Sequence, residues 1–415
     1  MYFKTLDKAE CCGCTACFAA CPKRCITMRS DEEGFLYPEI DKAACIECGL
    51  CERVCPFDRP TYANTPAPQV YASYVKDENQ QVQSSSGGLF YAVSRWVIGQ
   101  GGIVYGAAFD ELFRLRHTGA ETLEELRPLR GSKYLQSDLR GTFREIRAHL
   151  KAGRWVYFTG TGCQVAGLRA FLQQEYATLV TSDLVCHGTP SQQLFDWHLD
   201  YLRQKEQGEI TSYSFRDMGG WGICETYNYV SQTRHKSGVR RLYSYDLSPY
   251  FYQFMRAFGY RYSCYHCPFA RIPRQGDITL ADYWGVKRYF PNMDTDKGVS
   301  LVLLNSPQGA AVWQEVENTL HSCPSCVEHA VAENGNLLRP TRMPAIRPHC
   351  YDMIHRRGIQ KRGSEGVPPT PLLSDKAAGI PCTNQAGGVA QVGETETGKV
   401  KKIHTLYTQK FVVID

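Results

Sequence analysis

One cysteine pattern occurs twice near the start of this chain. Each copy reads Cys-x2-Cys-x2-Cys-x3-Cys-Pro, and the second copy follows the first after 34 positions. The first copy contains Cys11, Cys14, Cys17 and Cys21, and the second contains Cys45, Cys48, Cys51 and Cys55. In such a repeat, three closely spaced thiolates bind one iron–sulfur cubane and the fourth binds the other. The repeat therefore predicts two [4Fe–4S] clusters and a protein that transfers electrons one at a time.

The same rule assigns the ligands crosswise between the two copies. It predicts one set made of Cys11, Cys14, Cys17 and Cys55, and a second made of Cys45, Cys48, Cys51 and Cys21. Zinc sites use four ligands, usually as two CxxC pairs, so two identical four-cysteine runs favour iron–sulfur over zinc or disulfides. We interpret Cys12 and Cys25 as spare buried thiols near a cluster.

Composition excludes several other classes of protein. The 415 residues suffice for two or three domains. Unpaired thiols predict a reducing compartment, and neither an apolar signal core nor a run of about 18 apolar residues is present. We therefore expect a cytoplasmic protein without a transmembrane segment. The net charge of +5 comes from dispersed Lys and Arg residues, which argues against nucleic-acid binding.

The chain divides into segments of different character. Residues 1–60 predict an α+β ferredoxin-like domain, with a hairpin between the two cysteine runs. Residues 61–69 are a Pro-rich linker. Residues 70–150 and 151–355 alternate strand and helix patterns, which predicts a larger α/β domain with a mixed or parallel sheet. Residues 360–415 are rich in small and polar residues, and we expect them to be disordered.

Hydrophobic patterns place the elements of the larger domain. Strands are predicted at 70–75, 102–109, 155–159, 179–185, 212–216, 277–281 and 299–304, and helices at 87–98, 139–151 and 165–175.

Four further cysteines lie where α/β folds place their chemistry. Cys163 and Cys186 each follow a predicted strand, and Cys264 and Cys267 form a CxxC pair. Because strand carboxyl ends converge at one edge of a sheet, these four thiols are a candidate tetrathiolate site. Two alternatives stay open: Cys323 and Cys326 pair with the same CxxC in a zinc site, or the cysteines are free core thiols.

Two Gly/Ser turns are candidates for binding a phosphate or a ring. The first opens a helix and contains Ser84, Ser85, Ser86, Gly87 and Gly88. A helix N-terminus offers unpaired N–H groups to a phosphate, although the same residues also suit an ordinary helix cap. The second turn contains Gly131, Ser132, Lys133 and Tyr134, and its lysine is equally compatible with a solvated loop.

An ordered series of motifs gives the chain a family resemblance. The series comprises Ser84–Phe90, Val104–Ala107, Gly131–Tyr134, Gly160–Leu168, Asp183–Gly188, Phe215–Asp217, Cys264–Cys267, Asp277–Gly285 and Lys297–Val302. Over about residues 8–350 it resembles the coenzyme F-420 hydrogenase/dehydrogenase beta-subunit family, in its form with a fused ferredoxin domain. One departure is Gly162, which stands where the family usually has proline before Cys163.

The resemblance implies specific cofactors. It implies a third [4Fe–4S] cluster held by Cys163, Cys186, Cys264 and Cys267, and an FAD lined by the turns at 84–88 and 131–134. The flavin would link two-electron chemistry to one-electron transfer through the clusters. Lys133 is the candidate catalytic residue, stabilising negative charge on the reduced flavin.

Other roles stay open at this stage. His187 is a candidate proton relay or an ordinary loop histidine, and Asp282 and Trp284 shape a pocket or pack in the core. Expected partners are a redox protein or a small-molecule hydride donor or acceptor, and some relatives accompany surface-polysaccharide biosynthesis proteins. The alternatives are a flavin-free electron-relay subunit and a colourless zinc-stabilised binding module.

Overall fold

The computed structural model describes residues 2–216, 221–222, 224–231, 236–243 and 247–359. The predicted disorder of residues 360–415 therefore lies outside the described residues. None of the helices in the described ranges is long and apolar enough to cross a membrane.

The strands of the described ranges form three sheets. They are β1 Ile26–Ser30, β2 Leu36–Ile40, β3 Gln69–Val75, β4 Ile103–Phe109, β5 Leu115–Ala120, β6 Val156–Thr161, β7 Leu179–Leu184, β8 Gly208–Ser214, β9 Glu225–Ser231, β10 Lys236–Leu242, β11 Ile278–Asp282, β12 Ser300–Leu304 and β13 Leu320–Ser325.

Helices precede, connect and follow these strands. They are α1 Tyr2–Thr5, α2 Ala16–Ala20, α3 Leu50–Arg53, α4 Glu78–Val82, α5 Leu89–Gly99, α6 Thr142–Lys151, α7 Gly162–Leu172, α8 Gln192–Glu206, α9 Pro249–Met255, α10 Pro307–Val316, α11 Val327–Ala332 and α12 Cys350–Arg357.

The central sheet has eight strands in the order β13-β3-β12-β11-β7-β6-β4-β5. Strands β4, β6, β7 and β11 run parallel to one another, whereas β12 is antiparallel to β11 and to β3. This arrangement confirms the predicted mixed sheet. The carboxyl ends of β3, β6, β7 and β11 consequently share one edge of the sheet, which is where α/β folds place their ligands.

The two faces of the sheet are covered by different elements. Helices α5 and α10 bury Leu89, Val93 and Trp313 on one face. Helices α6 and α7 bury Phe143 and Val165 on the other, together with residues of the N-terminal cysteine region. Because both faces of the sheet are covered, the central strands are largely buried.

The N-terminal hairpin of β1 and β2 matches the prediction, and it packs directly on the larger fold. A Cβ atom on Gly167 of α7 would lie 2.8 Å from Cys14 Cβ, so only glycine permits this approach. Buried Arg347 also pairs with Glu33 of the hairpin turn. The Pro-rich segment at 61–69 therefore joins two regions that contact each other extensively.

All seven predicted strands correspond to observed strands, within a few residues at their ends. Among the described residues, the edge strands β5 and β13 and the pair β9–β10 were not predicted. Edge strands are half solvated, so their sequences lack the long apolar runs that marked the central strands.

Candidate metal centres

The first predicted thiol set lies around one pocket. Cys11, Cys14, Cys17 and Cys55 all line it, although Cys55 belongs to the second cysteine run. The pocket has a volume of about 420 Å³, which includes space open to solvent. Close packing of α2 against α3 brings the two runs together. The structure thus assembles the crosswise set that the spacing predicted.

The second set lies at the outer end of the N-terminal region. Cys45, Cys48 and Cys51 occupy one loop and the start of α3, and Cys48 is exposed. Cys21 Sγ lies 3.4 Å from Cys25 Sγ. Cys25 also contacts Cys45, and its hydrogen bond with Cys21 raises the Cys25 pKa to about 11. The spare thiol therefore lies between two predicted ligands.

The third set lines a pocket at the carboxyl edge of the central sheet. Cys163 lies in the first turn of α7, directly after β6, and Cys186 lies two residues after β7. Cys264 and Cys267 reach the same pocket from the loop that follows α9. The pocket has a volume of about 540 Å³, which includes space open to solvent. These four thiols come from three separate parts of the chain and meet at one place.

A buried arginine holds the CxxC loop against the sheet. Arg274 donates hydrogen bonds to the carbonyl oxygens of Phe269 (3.0 Å) and Leu184 (2.8 Å). Its charge is balanced by the fully buried carboxylate of Asp183, 3.1 Å away. Because Asp183 and Leu184 end β7, this ion pair positions Cys267 relative to Cys186. Sequence reasoning did not identify Arg274.

Two residues form a wall between the first and third pockets. Cys12 and Phe57 line both of them. The Cys12 side chain interacts with Cys14 on one side and with Cys163 on the other, and it is buried. Cys12 is buried, but the prediction of a spare thiol did not include its position between two pockets. Its position beside Cys11 in the motif was the only available signal.

Burial keeps the thiols of the third pocket protonated in the absence of a positive partner. Desolvation raises the pKa of Cys186 and Cys264, and it raises that of Cys267 to about 12. Contact with Cys12, together with burial, raises the pKa of Cys163. Thiolate ligation at this site would therefore require a cationic centre and would release protons.

The described cysteines do not surround a single point. Among the residues that the structure describes, no group of three or more His, Cys, Asp or Glu side chains converges on one point that would hold a metal ion. A single zinc ion needs all ligand atoms within about 2.3 Å of one point. A cubane spreads its four thiolates over four irons, so the wider pockets suit a cluster better.

Cys323 and Cys326 line neither pocket. Cys323 lies on the edge strand β13, opposite Ala72 of β3. The alternative in which they share a zinc site with Cys264 and Cys267 therefore receives no support from these positions.

The two Gly/Ser turns are in contact. The backbone N–H of Ser132 donates to Ser85 Oγ at 2.8 Å, and Arg130 donates to Ser84 Oγ at 3.1 Å. Gly87 packs against backbone, since a Cβ there would lie 2.2 Å from the carbonyl oxygen of Ser73. The two turns are therefore neighbours in the structure, and their role in binding a flavin stays a prediction.

Lys133 binds within its own loop. Its ammonium group donates to the carbonyl oxygens of Pro128 (2.8 Å) and Arg130 (2.7 Å). The side chain is partly buried, and desolvation lowers its pKa to about 7. The residue therefore changes charge near neutral pH, while its role toward a flavin stays a prediction.

A polar network extends from the first turn to β11. Arg216 donates to the Ser85 carbonyl oxygen (2.6 Å), to Tyr134 Oη (3.1 Å) and to Asp282 Oδ2 (2.9 Å). Trp221 donates to Asp282 Oδ1 at 2.7 Å, and its ring stacks on Trp284 at 5.0 Å. Asp282 and Trp284 thus support the wall of the turn region. His187 lines the thiol pocket, with its exposed side chain at the rim.

Comparison with known proteins agrees with these features. The model of the 4Fe-4S dicluster domain matches residues 10–59. The model of the C terminus of the coenzyme F420 hydrogenase/dehydrogenase beta subunit matches residues 153–323. Both confirm the resemblance. None of the curated proteins matches the chain significantly.

Solved structures align with this chain at low similarity. One of them is a chain of the F420-reducing [NiFe] hydrogenase complex from Methanosarcina barkeri, with 14% sequence identity and a TM-score of 0.37. The alignment covers 62% of this chain and 82% of that one.

Proposed function

We propose that this chain, an iron–sulfur electron-transfer protein related to the coenzyme F420 hydrogenase/dehydrogenase beta subunits, is a flavin-dependent oxidoreductase with three [4Fe–4S] clusters. The observation that carries the proposal is the pair of thiol pockets that share Cys12 and Phe57 as a wall. Adjacent cofactor sites are what a protein needs to move electrons between a surface partner and a buried reaction site.

The residues present fit clusters at all three sites. Each predicted set supplies four thiols, and soft thiolate ligands select iron–sulfur clusters, copper(I) or zinc. When bound, the clusters supply one-electron transfer. Cys48 is exposed, so the set that contains it is the entry or exit point for a redox partner. The chain's own contribution is to hold the three thiol sets at fixed positions.

The Gly/Ser turns fit the phosphates of an FAD. The first helical residue after the turn is Leu89, and Gly88 offers no side-chain cap, so the N-terminus of α5 presents free N–H groups. Ser86 Oγ is buried without a hydrogen-bond partner in the described part of the chain. A buried polar atom of this kind costs free energy unless a ligand satisfies it. FAD, when bound, would exchange electrons in pairs with a substrate and singly with the clusters.

Lys133 and the Arg216 network define what the protein does at the flavin site. Lys133 supplies a cation that loses its charge near pH 7, because burial lowers its pKa to about 7. Arg216 is buried and paired with Asp282, so it fixes Ser85 and Tyr134 rather than acting as a free charge. We assign stabilisation of negative charge to Lys133 and positioning of the turns to Arg216.

Anaerobic purification with iron, sulfide and flavin analysis tests the proposal. We expect about twelve irons per chain, from three four-iron clusters, together with one flavin and a visible spectrum containing both flavin and cluster bands. About twelve irons without flavin would support a flavin-free electron relay instead. A colourless preparation without acid-labile sulfide would refute both.

Two serine variants test the flavin site itself. Ser86→Ala removes the unpaired hydroxyl from the turn, and Ser94→Ala removes an equally unpaired hydroxyl from the buried side of α5. We expect only Ser86→Ala to lower the flavin retained after gel filtration. Equal retention in both variants would remove the turn from the flavin site.

A further inference from the structure

The three largest fully buried side chains of the described residues are arginines: Arg261, Arg274 and Arg347. Arg274 pairs with Asp183, and Arg347 pairs with Glu33. In the part of the chain that the structure describes, Arg261 forms no ion pair with a carboxylate. A buried cation without a counter-charge is strongly unfavourable, so the environment of Arg261 requires an explanation.

Arg261 is directed at the first thiol pocket. Its Nε donates to the carbonyl oxygen of Cys11 at 2.6 Å, and its Nη2 lies 3.5 Å from Cys11 Sγ. The guanidinium also donates to Gln136 Oε1 at 3.2 Å and to the Leu36 carbonyl oxygen at 3.0 Å. The anionic candidate that these contacts offer is the Cys11 thiolate.

Aromatic rings hold the guanidinium in this position. It lies 4.0 Å from the ring centroid of Tyr37 and 5.5 Å from that of Phe35. Stacking of this kind suits a planar, weakly hydrated guanidinium and does not suit an ammonium group. The β1–β2 hairpin therefore packs against Arg261, which belongs to the larger fold and lies three positions before Cys264.

We propose that Arg261 is the charge partner of the iron–sulfur centre bound by Cys11, Cys14, Cys17 and Cys55, and that it raises the reduction potential of that centre. The proposal rests on the proposed function. Hydrogen bonds to ligand sulfurs and nearby charge set the potentials of such centres. Reduction adds one negative charge, which a fixed buried cation favours. Because Arg261 comes from the larger fold, this potential depends on docking of the N-terminal region.

Redox titration of the anaerobic full-length holoprotein, followed by electron paramagnetic resonance, tests this role. The signal of interest is the one that Cys55→Ser abolishes. We expect Arg261→Met to retain its iron and to lower the midpoint potential of that signal by at least about 59 mV, which is a tenfold change in a one-electron equilibrium. Arg261→Lys, which keeps the charge, should shift it less.

A matched control separates charge from docking. The double variant Glu33→Gln/Arg347→Met removes a buried ion pair from the same interface, and neither residue contacts a predicted ligand thiol in the described part of the chain. We expect its midpoint potential to equal that of the unmodified protein. An unchanged potential in Arg261→Met, or an equal shift in the control, would overturn the proposal.

Two further outcomes are informative. If Arg261→Met does not accumulate, Arg261→Gln keeps an amide donor for the Cys11 carbonyl oxygen and supplies the neutral variant, with the same expected shift. If the unmodified protein contains no iron or sulfide, the proposed function fails, and that result is read from the metal analysis before any titration.

Discussion

Arg347 donates two hydrogen bonds, 2.8 and 2.5 Å long, to the two carboxylate oxygens of Glu33, which lies 314 positions earlier in the chain. Both side chains are buried. Removing one partner of a buried ion pair leaves an uncompensated charge, which typically costs about 3–5 kcal/mol. We therefore predict that Arg347→Met lowers the free energy of unfolding by about that amount in anaerobic urea titrations.

The same hairpin offers a control for this prediction. Arg29 and Glu39 form an ion pair with 2.7 Å between nitrogen and oxygen, but both side chains are mostly exposed. Exposed pairs contribute about 0–1 kcal/mol, so Arg29→Met should change stability little. Similar losses in both variants would contradict the structural role assigned to Arg347.

The crosswise thiol set makes a prediction about iron content. Cys55→Ser and Cys11→Ser should each lose the same centre, about four irons per chain, because all four cysteines of that set surround one pocket. The double variant should lose no more than either single variant. Cys48→Ser should instead affect the other N-terminal centre, so a spectrum of Cys55→Ser that matches Cys48→Ser would refute the assignment.

The third pocket, which is lined by Cys163, Cys186, Cys264 and Cys267, predicts a third centre that can be removed separately. Cys186→Ser should reduce the iron content from about twelve to about eight per chain while leaving both N-terminal signals in place. Cys323→Ser is the matched control, since Cys323 lies on β13 outside the pocket. A Cys323→Ser variant that loses the same iron would revive the alternative ligand set.

Lys133 predicts a pH-dependent contribution to stability. Its pKa is about 7 in the folded chain and about 10.4 in an unfolded one. Between these values the unfolded chain binds a proton that the folded chain does not, so this group makes stability rise with pH from about 7 to about 10.4. Below pH 7 both states are charged and the burial penalty is fully present.

Urea midpoints measured at about pH 6.5 and about pH 9, on either side of the folded pKa, check this sign. We expect the difference between the two midpoints to be more positive for the unmodified protein than for Lys133→Met, which carries no titrating group. Lys133→Arg keeps its charge throughout and should behave like Lys133→Met in this difference. An identical pH dependence in all three proteins would show that Lys133 keeps an ordinary pKa.

Much of the architecture could be predicted because it depends on local patterns. The apolar run from Val156 to Phe158 is typical of a buried strand. The spacing of three to four residues between Phe143, Ile146 and Leu150 is typical of a helix that packs on a sheet. The strands β9 and β10 were missed because their sequences show only a weak alternation of polar and apolar residues. Their pairing depends on contacts across the chain.

Spacing along the chain determined the chemistry of this protein: eight cysteines in two identical runs predict thiolate-bound iron, and strand-end cysteines predict a further site. Only the tertiary structure decided which groups surround those thiols. Cys12 separates two pockets, and Arg261 brings a buried cation to Cys11 from a loop 250 positions away. Ligand identity follows from short-range geometry that a motif encodes, whereas the charge and packing around a site follow from long-range contacts that no local pattern records.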